Sequence, residues 1–139
     1  GSGAAHDLDG AGGSVLANTR RRGFVSGGDN VLIAGFIIGN GGSDTVVVRA
    51  IGPSLADAGV ANPLADPTLV LYDGNGTIIR SNNNWQETQE GLIQSTGLAP
   101  TNVFESAIMR SLTPGNYTAV VRGNELGNGV ALVEVYNLQ

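Results

Sequence analysis

Residues 31–51 read VLIAGFIIGNGGSDTVVVRAI, and this stretch decides the fold class of the chain. Residues 31–38 form an apolar, β-prone run that ends at the glycine-rich segment 39–42. The run is too short to cross a membrane, so it predicts a central strand buried on both faces. Residues 44–51 predict a second strand, and the glycine-rich connection predicts that the two strands pair as a hairpin.

Turn signals divide the chain on the C-terminal side of this stretch. Residues 52–67 contain three prolines and no alternation, which predicts a loop that crosses between two sheets, with a helical turn at 55–58. Residues 73–76, DGNG, separate the β-prone runs 68–72 and 77–81 and give the clearest hairpin signal in the chain.

The remaining segments complete a β-rich pattern. Residues 14–20 predict a short first strand, and residues 117–122 and 129–138 predict two late strands. Residues 87–94 predict a short helix, whereas residues 103–112 fit a helix or a strand. About eight short strands with one or two helical turns predict an all-β fold, an antiparallel β-sandwich of the jelly-roll type.

Length and composition predict one domain with a glycine-rich arm. The chain has 139 residues, the usual size of a single domain. Residues 1–13, GSGAAHDLDGAGG, lack apolar periodicity and predict a flexible arm or linker, so that residues 14–139 form the domain.

Charge and residue usage exclude several classes of function. The net charge is −5, and the seven basic residues are all arginine, so a nucleic-acid partner is not expected. Cysteine is absent, which excludes disulfides, thiolate metal sites and thiol nucleophiles. No apolar run is long enough for a membrane span, and the abundance of Gly, Asn, Ser and Thr is typical of secreted bacterial β modules.

Three segments in the second half of the chain carry a resemblance to a known family. They are LVLYDGNGTIIRSNNNW, ESAIMRSLTPGNYTAVVRG and VALVEVYNL, all within residues 68–138. This part of the chain resembles the bacterial pre-peptidase C-terminal domain, and the first part looks like Gly-rich repeat modules of large secreted bacterial proteins. The resemblance implies an extracellular or cell-surface β-sandwich with no catalytic residues, sometimes binding calcium or matrix polymers.

Calcium is the one cofactor that the residues make worth considering. Oxygen-bearing side chains lie in and after the DGNG turn, at Asp73, Asn75, Asn82 and Asn84. Relatives with a metal often carry aspartates after this hairpin, where this chain has asparagines, so the charge that holds a divalent cation is missing. The alternative is that Asp73 and Asn75 set the turn and the asparagines bind their own backbone.

A polysaccharide is the second ligand class to weigh. Trp85 is the only tryptophan, and beside Asn83 it offers a ring for sugar stacking and an amide for sugar hydroxyls. The alternative, favoured by the general tendency of Trp to be buried, is that the ring caps one end of the sandwich core.

The sequence contains no convincing catalytic set. His6 is the only histidine and lies in the glycine-rich arm, where nothing holds a general base in place, so we do not expect an enzyme. Arg49 interrupts an apolar strand, and the favoured interpretation is a structural ion pair.

These observations favour a structural module that associates with other copies of itself or with tandem modules. A β-prone segment near the N-terminus would complete the sheet edge of the next copy and build a filament or fibre. The assembly residues we predict are Val15, Leu16, Arg20, Arg21 and Arg22. The alternative function is a calcium- or polysaccharide-binding accessory module of a secreted protein.

Overall fold

A computed structural model describes residues 17–27 and 30–138 and contains two four-stranded antiparallel sheets. The strands are β1 (Thr19–Val25), β2 (Leu32–Ile38), β3 (Asp44–Ile51), β4 (Pro67–Asp73), β5 (Ile78–Asn82), β6 (Ser106–Leu112), β7 (Gly115–Gly123) and β8 (Gly129–Asn137). The first sheet has the order β1-β8-β3-β6 and the second the order β2-β7-β4-β5. Two sheets with this interleaved order form a jelly roll, so the predicted fold class is confirmed.

The core lies between the inner faces of the two sheets. Alternate residues of each strand point inward, as in β4, where Leu69 and Leu71 are fully buried. Ile108 of β6 and Val133 of β8 meet them from the first sheet. Gly52, just after β3, allows close backbone approach, because a Cβ there would lie 2.1 Å from the Leu64 carbonyl oxygen.

Short helices lie in the connections between strands. A 3-10 helix, Pro53–Ala58, contains the helical turn predicted at 55–58, and a second one covers Asn124–Leu126. The helix predicted at 87–94 is α1, Glu90–Ser95, three residues later at its start. Residues 103–112, which fitted either class, contain β6, and the hairpin predicted at 73–76 joins β4 to β5.

The hairpin predicted between residues 31–38 and 44–51 is wrong. β2 pairs with β7 in the second sheet, whereas β3 pairs with β6 and β8 in the first, so their connection crosses between sheets. The prediction that β2 is buried on both faces is also wrong. β2 is an edge strand, and its outward residues Ile33 and Ile37 are exposed.

Within the described residues, the first strand lies further along the chain than the predicted 14–20, of which residues 14–16 are outside the described range. The described strand β1 begins at Thr19 and continues to Val25, beyond the predicted end at residue 20. Its pairing with β8, from Thr19 opposite Val135 to Val25 opposite Gly129, extends the strand past the arginines. The predicted arm at residues 1–13 and the assembly residues Val15 and Leu16 lie outside the described residues.

Candidate functional site

The two sheets have four edge strands, and three of these carry charge. β1 contains three consecutive arginines, β5 contains Arg80, and β6 contains Arg110. Natural sheets use charged residues on edge strands to prevent pairing with other chains. β2, with the sequence LIAGFII, contains no charged residue, so it is the unguarded edge of the sandwich.

Side-chain caps distinguish β6 further from β2. The Gln89 amide accepts a hydrogen bond from the Met109 N–H and donates one to the Met109 carbonyl, both at 2.9 Å. The Ala107 N–H donates to Asn82 Oδ1 at 3.0 Å, and Arg110 donates to the Ile79 carbonyl of β5. Within the described part of the chain, β2 receives no comparable side-chain cap.

The outer face of β2 is apolar and open to solvent. Ile33 is 48% exposed and Ile37 is 75% exposed. Ile33 lies opposite Val120 of β7, which in turn lies opposite Val70 of β4, so apolar residues continue across the outer face of the second sheet.

An open groove of about 620 Å³ lies beside β2, between the two sheets. Phe36 forms part of its wall and stacks on Tyr117 of β7 with a ring-centre distance of 5.7 Å. Val46 and Val135 line the opposite wall, and Thr19 stands where β1 begins. The groove next to the unguarded strand is therefore lined by aromatic and aliphatic side chains together with polar ones, among them Asn18, Asn116 and Asn137.

The three predicted assembly arginines all lie on β1. Each is exposed, and Arg20 forms an ion pair with Glu134 of β8 at 3.2 Å. The structure therefore places the arginine run on the edge strand of the first sheet, next in space to β2 of the second sheet.

Arg49 forms the structural ion pair that its position in a β strand predicted. Arg49 and Glu134 are cross-strand partners, and the guanidinium donates through Nε and Nη2 to Glu134 Oε1. The same guanidinium donates to the Leu98 carbonyl and to the Tyr136 hydroxyl, both at 3.1 Å. Burial raises the pKa of the Tyr136 hydroxyl; Arg49 opposes this effect, whereas Glu134 adds to it.

A second buried carboxylate, Glu105, holds a loop in place. Its Oε2 accepts hydrogen bonds from the N–H groups of Gly52 and Ser54, at 3.0 and 2.8 Å. Its Oε1 accepts one from the Ser54 hydroxyl at 2.8 Å. These bonds anchor the start of the 3-10 helix Pro53–Ala58, so Glu105 serves a structural purpose.

The proposed calcium ligands are divided between two places. Asp73 Oδ1 accepts hydrogen bonds from the N–H groups of Asn75 and Thr77, which is the turn-setting alternative. Asn82 lies opposite Leu69, four residues from Asp73 along β4, a separation of about 13 Å in a strand. The structure therefore does not bring Asp73 and Asn75 together with Asn82 and Asn84 around one cation.

The loop that follows β5 contains the proposed sugar-binding residues. Trp85 is 5% exposed and packs with Ile93 and Ala107, the arrangement that the core-capping alternative describes. Three buried polar atoms in this loop have no protein partner: Asn83 Oδ1, Asn84 Oδ1 and Trp85 Nε1. Two acceptors and one donor in successive residues of this loop are therefore buried without a protein partner.

Two functional features were not found from the sequence. The carboxylates Glu105 and Glu134 gave no signal, because their buried partners lie on distant strands or loops. The unguarded edge could have been found from the absence of charge in residues 32–38, had β2 been assigned to an edge. In the described ranges, no three His, Cys, Asp or Glu side chains gather as metal ligands, and no described helix is long and apolar enough to span a membrane.

Two antiparallel sheets in jelly-roll order define a β-sandwich module. Its unguarded edge, β2, also has exposed apolar residues on the outer face of the second sheet. No family model matches the sequence, and no curated protein matches it. The structure is similar to the pre-peptidase C-terminal domain of a collagenase from Bacillus anthracis, with a TM-score of 0.54 and 16% identity over 86% of this chain and 89% of that domain. The resemblance predicted from the sequence is therefore confirmed at the level of the fold.

A second solved structure, dimeric latent PorU from Porphyromonas gingivalis, aligns more loosely. It covers 92% of this chain but only 13% of PorU, with a TM-score of 0.35 and 14% identity.

Proposed function

We propose that this chain is a non-catalytic structural module of an extracellular or cell-surface bacterial assembly, and that it associates with other copies of itself. The fold it shares with the pre-peptidase C-terminal domain of a collagenase supports an accessory role outside the cell. The buried carboxylates Glu105 and Glu134 are engaged in structural hydrogen bonds, which supports a role without catalysis.

The observation that carries the proposal is the unguarded edge strand β2, which is apolar and has no charged residue. Soluble proteins rarely leave β-branched residues such as Ile33 and Ile37 exposed beside a free strand edge, because such edges pair with other chains. A partner that covers this surface removes the exposure. Copies of the same chain supply such a partner at high local abundance in a surface layer or fibre.

Sedimentation velocity over a concentration series, followed by electron microscopy, tests self-association. We expect the full chain to form oligomers or fibres that grow with concentration, and a chain without residues 1–16 to remain monomeric. A full-length control with Val15→Ser and Leu16→Ser separates the loss of apolar side chains from the loss of length. Monomers of the full chain at every concentration would contradict the proposal.

The second candidate is a ligand-binding accessory module, and the unpartnered atoms of Asn83, Asn84 and Trp85 favour it. A buried polar atom without a partner is costly, and a bound water, cation or sugar hydroxyl satisfies it. Calorimetric titration with calcium and with soluble glycans tests this function. Saturable heat that disappears in Asn83→Leu but persists in Asn75→Ala supports it, and the absence of heat with both ligand classes eliminates it.

A further inference from the structure

The free side of β2 has backbone groups that no strand of the described chain uses. β2 pairs only with β7, from Leu32 opposite Val121 to Ile38 opposite Gly115. In an antiparallel pair, the residues between the hydrogen-bonded positions direct their N–H and C=O groups away from the partner. β2 therefore presents a row of donors and acceptors along its free side.

The groove lies beside the last four residues of this strand. Residues 35–38 of β2 form one wall, and Tyr117 and Val135 contribute from the two sheets. When an extended segment adds to a sheet edge, its backbone bonds to the edge and alternate side chains enter pockets next to it. β2 and the groove supply both parts, an unpaired edge and a pocket of mixed apolar and polar lining along the same four residues.

The path of the chain before β1 favours a segment from another copy over this chain's own N-terminus. The backbone bends at Asn18, whose side chain accepts a hydrogen bond from the Asn137 N–H. Ala17 then packs with Val47 and Tyr136, which face outward from the first sheet, away from the groove. Asn18 and Thr19 themselves line the groove, so a same-chain segment would have to turn back from Ala17 to run along β2.

The sequence before Ala17 suits such an edge. Residues 12–16 read GGSVL, and they carry no charge, as β2 carries none. Val15 and Leu16 alternate along an extended strand, so one side chain can enter the groove while the other faces out. A strand of about five residues spans about 16 Å, enough for residues 35–38.

We propose that β2 and its groove accept residues 12–16 of a second copy, which add a fifth strand to the second sheet; this inference rests on the proposed function. The donor and acceptor surfaces differ, so the contact is head to tail and continues from copy to copy.

A charge on the edge tests the acceptor. In the full-length chain, Ile37→Lys places a lysine on the free strand, and Ile78→Lys places one on β5, the opposite edge of the same sheet, where Ile78 is also exposed. We expect Ile37→Lys to weaken self-association about tenfold or more and Ile78→Lys to change it less than about twofold. Circular dichroism confirms that both variants fold.

Disulfide trapping identifies the donor, and the chain has no cysteine to interfere. A Val15→Cys chain is mixed with an Ile37→Cys chain and oxidised, with Ile78→Cys as the matched control for the acceptor. We expect a mixed dimer with Ile37→Cys only, because a disulfide needs Cα atoms within about 7 Å.

The outcomes separate the inference from the function on which it rests. A wild-type chain that stays monomeric overturns both. Association that Ile37→Lys leaves unchanged overturns the inference alone. Ile37→Cys chains that cross-link mainly to each other would show that β2 pairs with β2 of another copy. A chain carrying both Val15→Cys and Ile37→Cys that forms an intramolecular disulfide at high dilution would show that its own N-terminal segment occupies the edge of β2. Either result overturns the proposed donor.

Discussion

The outer faces of the two sheets differ in how they are covered. On the first sheet, the segments after β3 and after β5 lie across the strands and bury Leu55, Trp85 and Ile93 against them. On the second sheet, Ile33 and Ile37 remain exposed. The same fold thus has one outer face covered by its own loops and another on which the outward residues of β2 stay exposed. The proposed self-association would use the second face, whereas the covered face contributes to the stability of the monomer.

Trp85→Ala should give the largest loss of stability on the covered face. Removing a buried tryptophan side chain leaves a cavity next to Ile93 and Ala107, which costs about 3 kcal/mol in the free energy of unfolding. Urea unfolding followed by circular dichroism measures the loss. Phe104→Ala is the matched control, because Phe104 lies in the same covering segment but is exposed, and it should cost less than about 1 kcal/mol.

The opposite result would revise the role of this loop. If Trp85→Ala leaves the midpoint of unfolding unchanged and instead weakens glycan binding, the ring serves as a binding platform and the loop opens in solution.

Arg49→Ala should give the next largest effect, because Arg49 connects the first sheet to its cover. The substitution removes the hydrogen bond to the Leu98 carbonyl and leaves the buried Glu134 with Arg20 as its remaining ion-pair partner. We expect a loss of about 2 kcal/mol, less than for a fully buried pair because Arg49 keeps some contact with solvent.

Urea unfolding of Arg122→Ala, an exposed arginine on β7, provides the control for Arg49→Ala. It should change the free energy of unfolding by less than about 0.5 kcal/mol. Equal losses in the two variants would mean that the Arg49 network contributes little.

Local features of the fold followed from the sequence, whereas the partners of each strand did not. The turn at Asp73 depends on local residue chemistry and was predicted. An ion pair at Arg49 was also predicted, but its partner Glu134, 85 residues away, was not. The assignment of β2 and β3 to one hairpin failed, because both runs are apolar and β-prone and only their distant partners decide the sheet. β2 lies opposite Tyr117 and its neighbours on β7, about 80 residues away in the chain.

The candidate site was only partly predicted, because its location also depends on which strands pair. The arginines of β1 were predicted as assembly residues, but their place on an edge depends on pairing with β8. Gln89 gave no signal as a cap of β6, because a glutamine in a loop has no sequence pattern that reveals which backbone groups it binds. An edge strand is defined by the absence of a neighbouring strand on one side, and the sequence of the strand does not reveal that absence.

The same substitution on each of the two outer faces compares the faces directly, with a smaller expected effect than that of Arg49→Ala. Ile93→Val removes a methylene group from the covered face and should cost about 1 kcal/mol, because Ile93 is fully buried. Ile37→Val makes the same change on the open face and should leave the unfolding of the monomer unchanged. Thermal unfolding of both variants at low protein concentration measures the difference. Equal costs would show that the outer face of β2 is already covered in the monomer.

Tyr136→Phe should give a small effect at neutral pH, similar to that of Ile93→Val, and the most specific effect at high pH. The substitution removes the hydrogen bond from Arg49 Nη2, which costs about 1 kcal/mol. Burial raises the pKa of Tyr136 in the folded state, so the folded chain holds this proton more tightly than the unfolded chain does. The associated stability is present below pH 10 and is lost as the pH rises through the folded-state value. In urea unfolding at a series of pH values, the stability of the wild type should therefore fall more steeply above pH 10 than that of Tyr136→Phe. The control Tyr72→Phe, on the second sheet, should keep the steep decline. Parallel profiles for all three chains would contradict a buried hydroxyl at Tyr136.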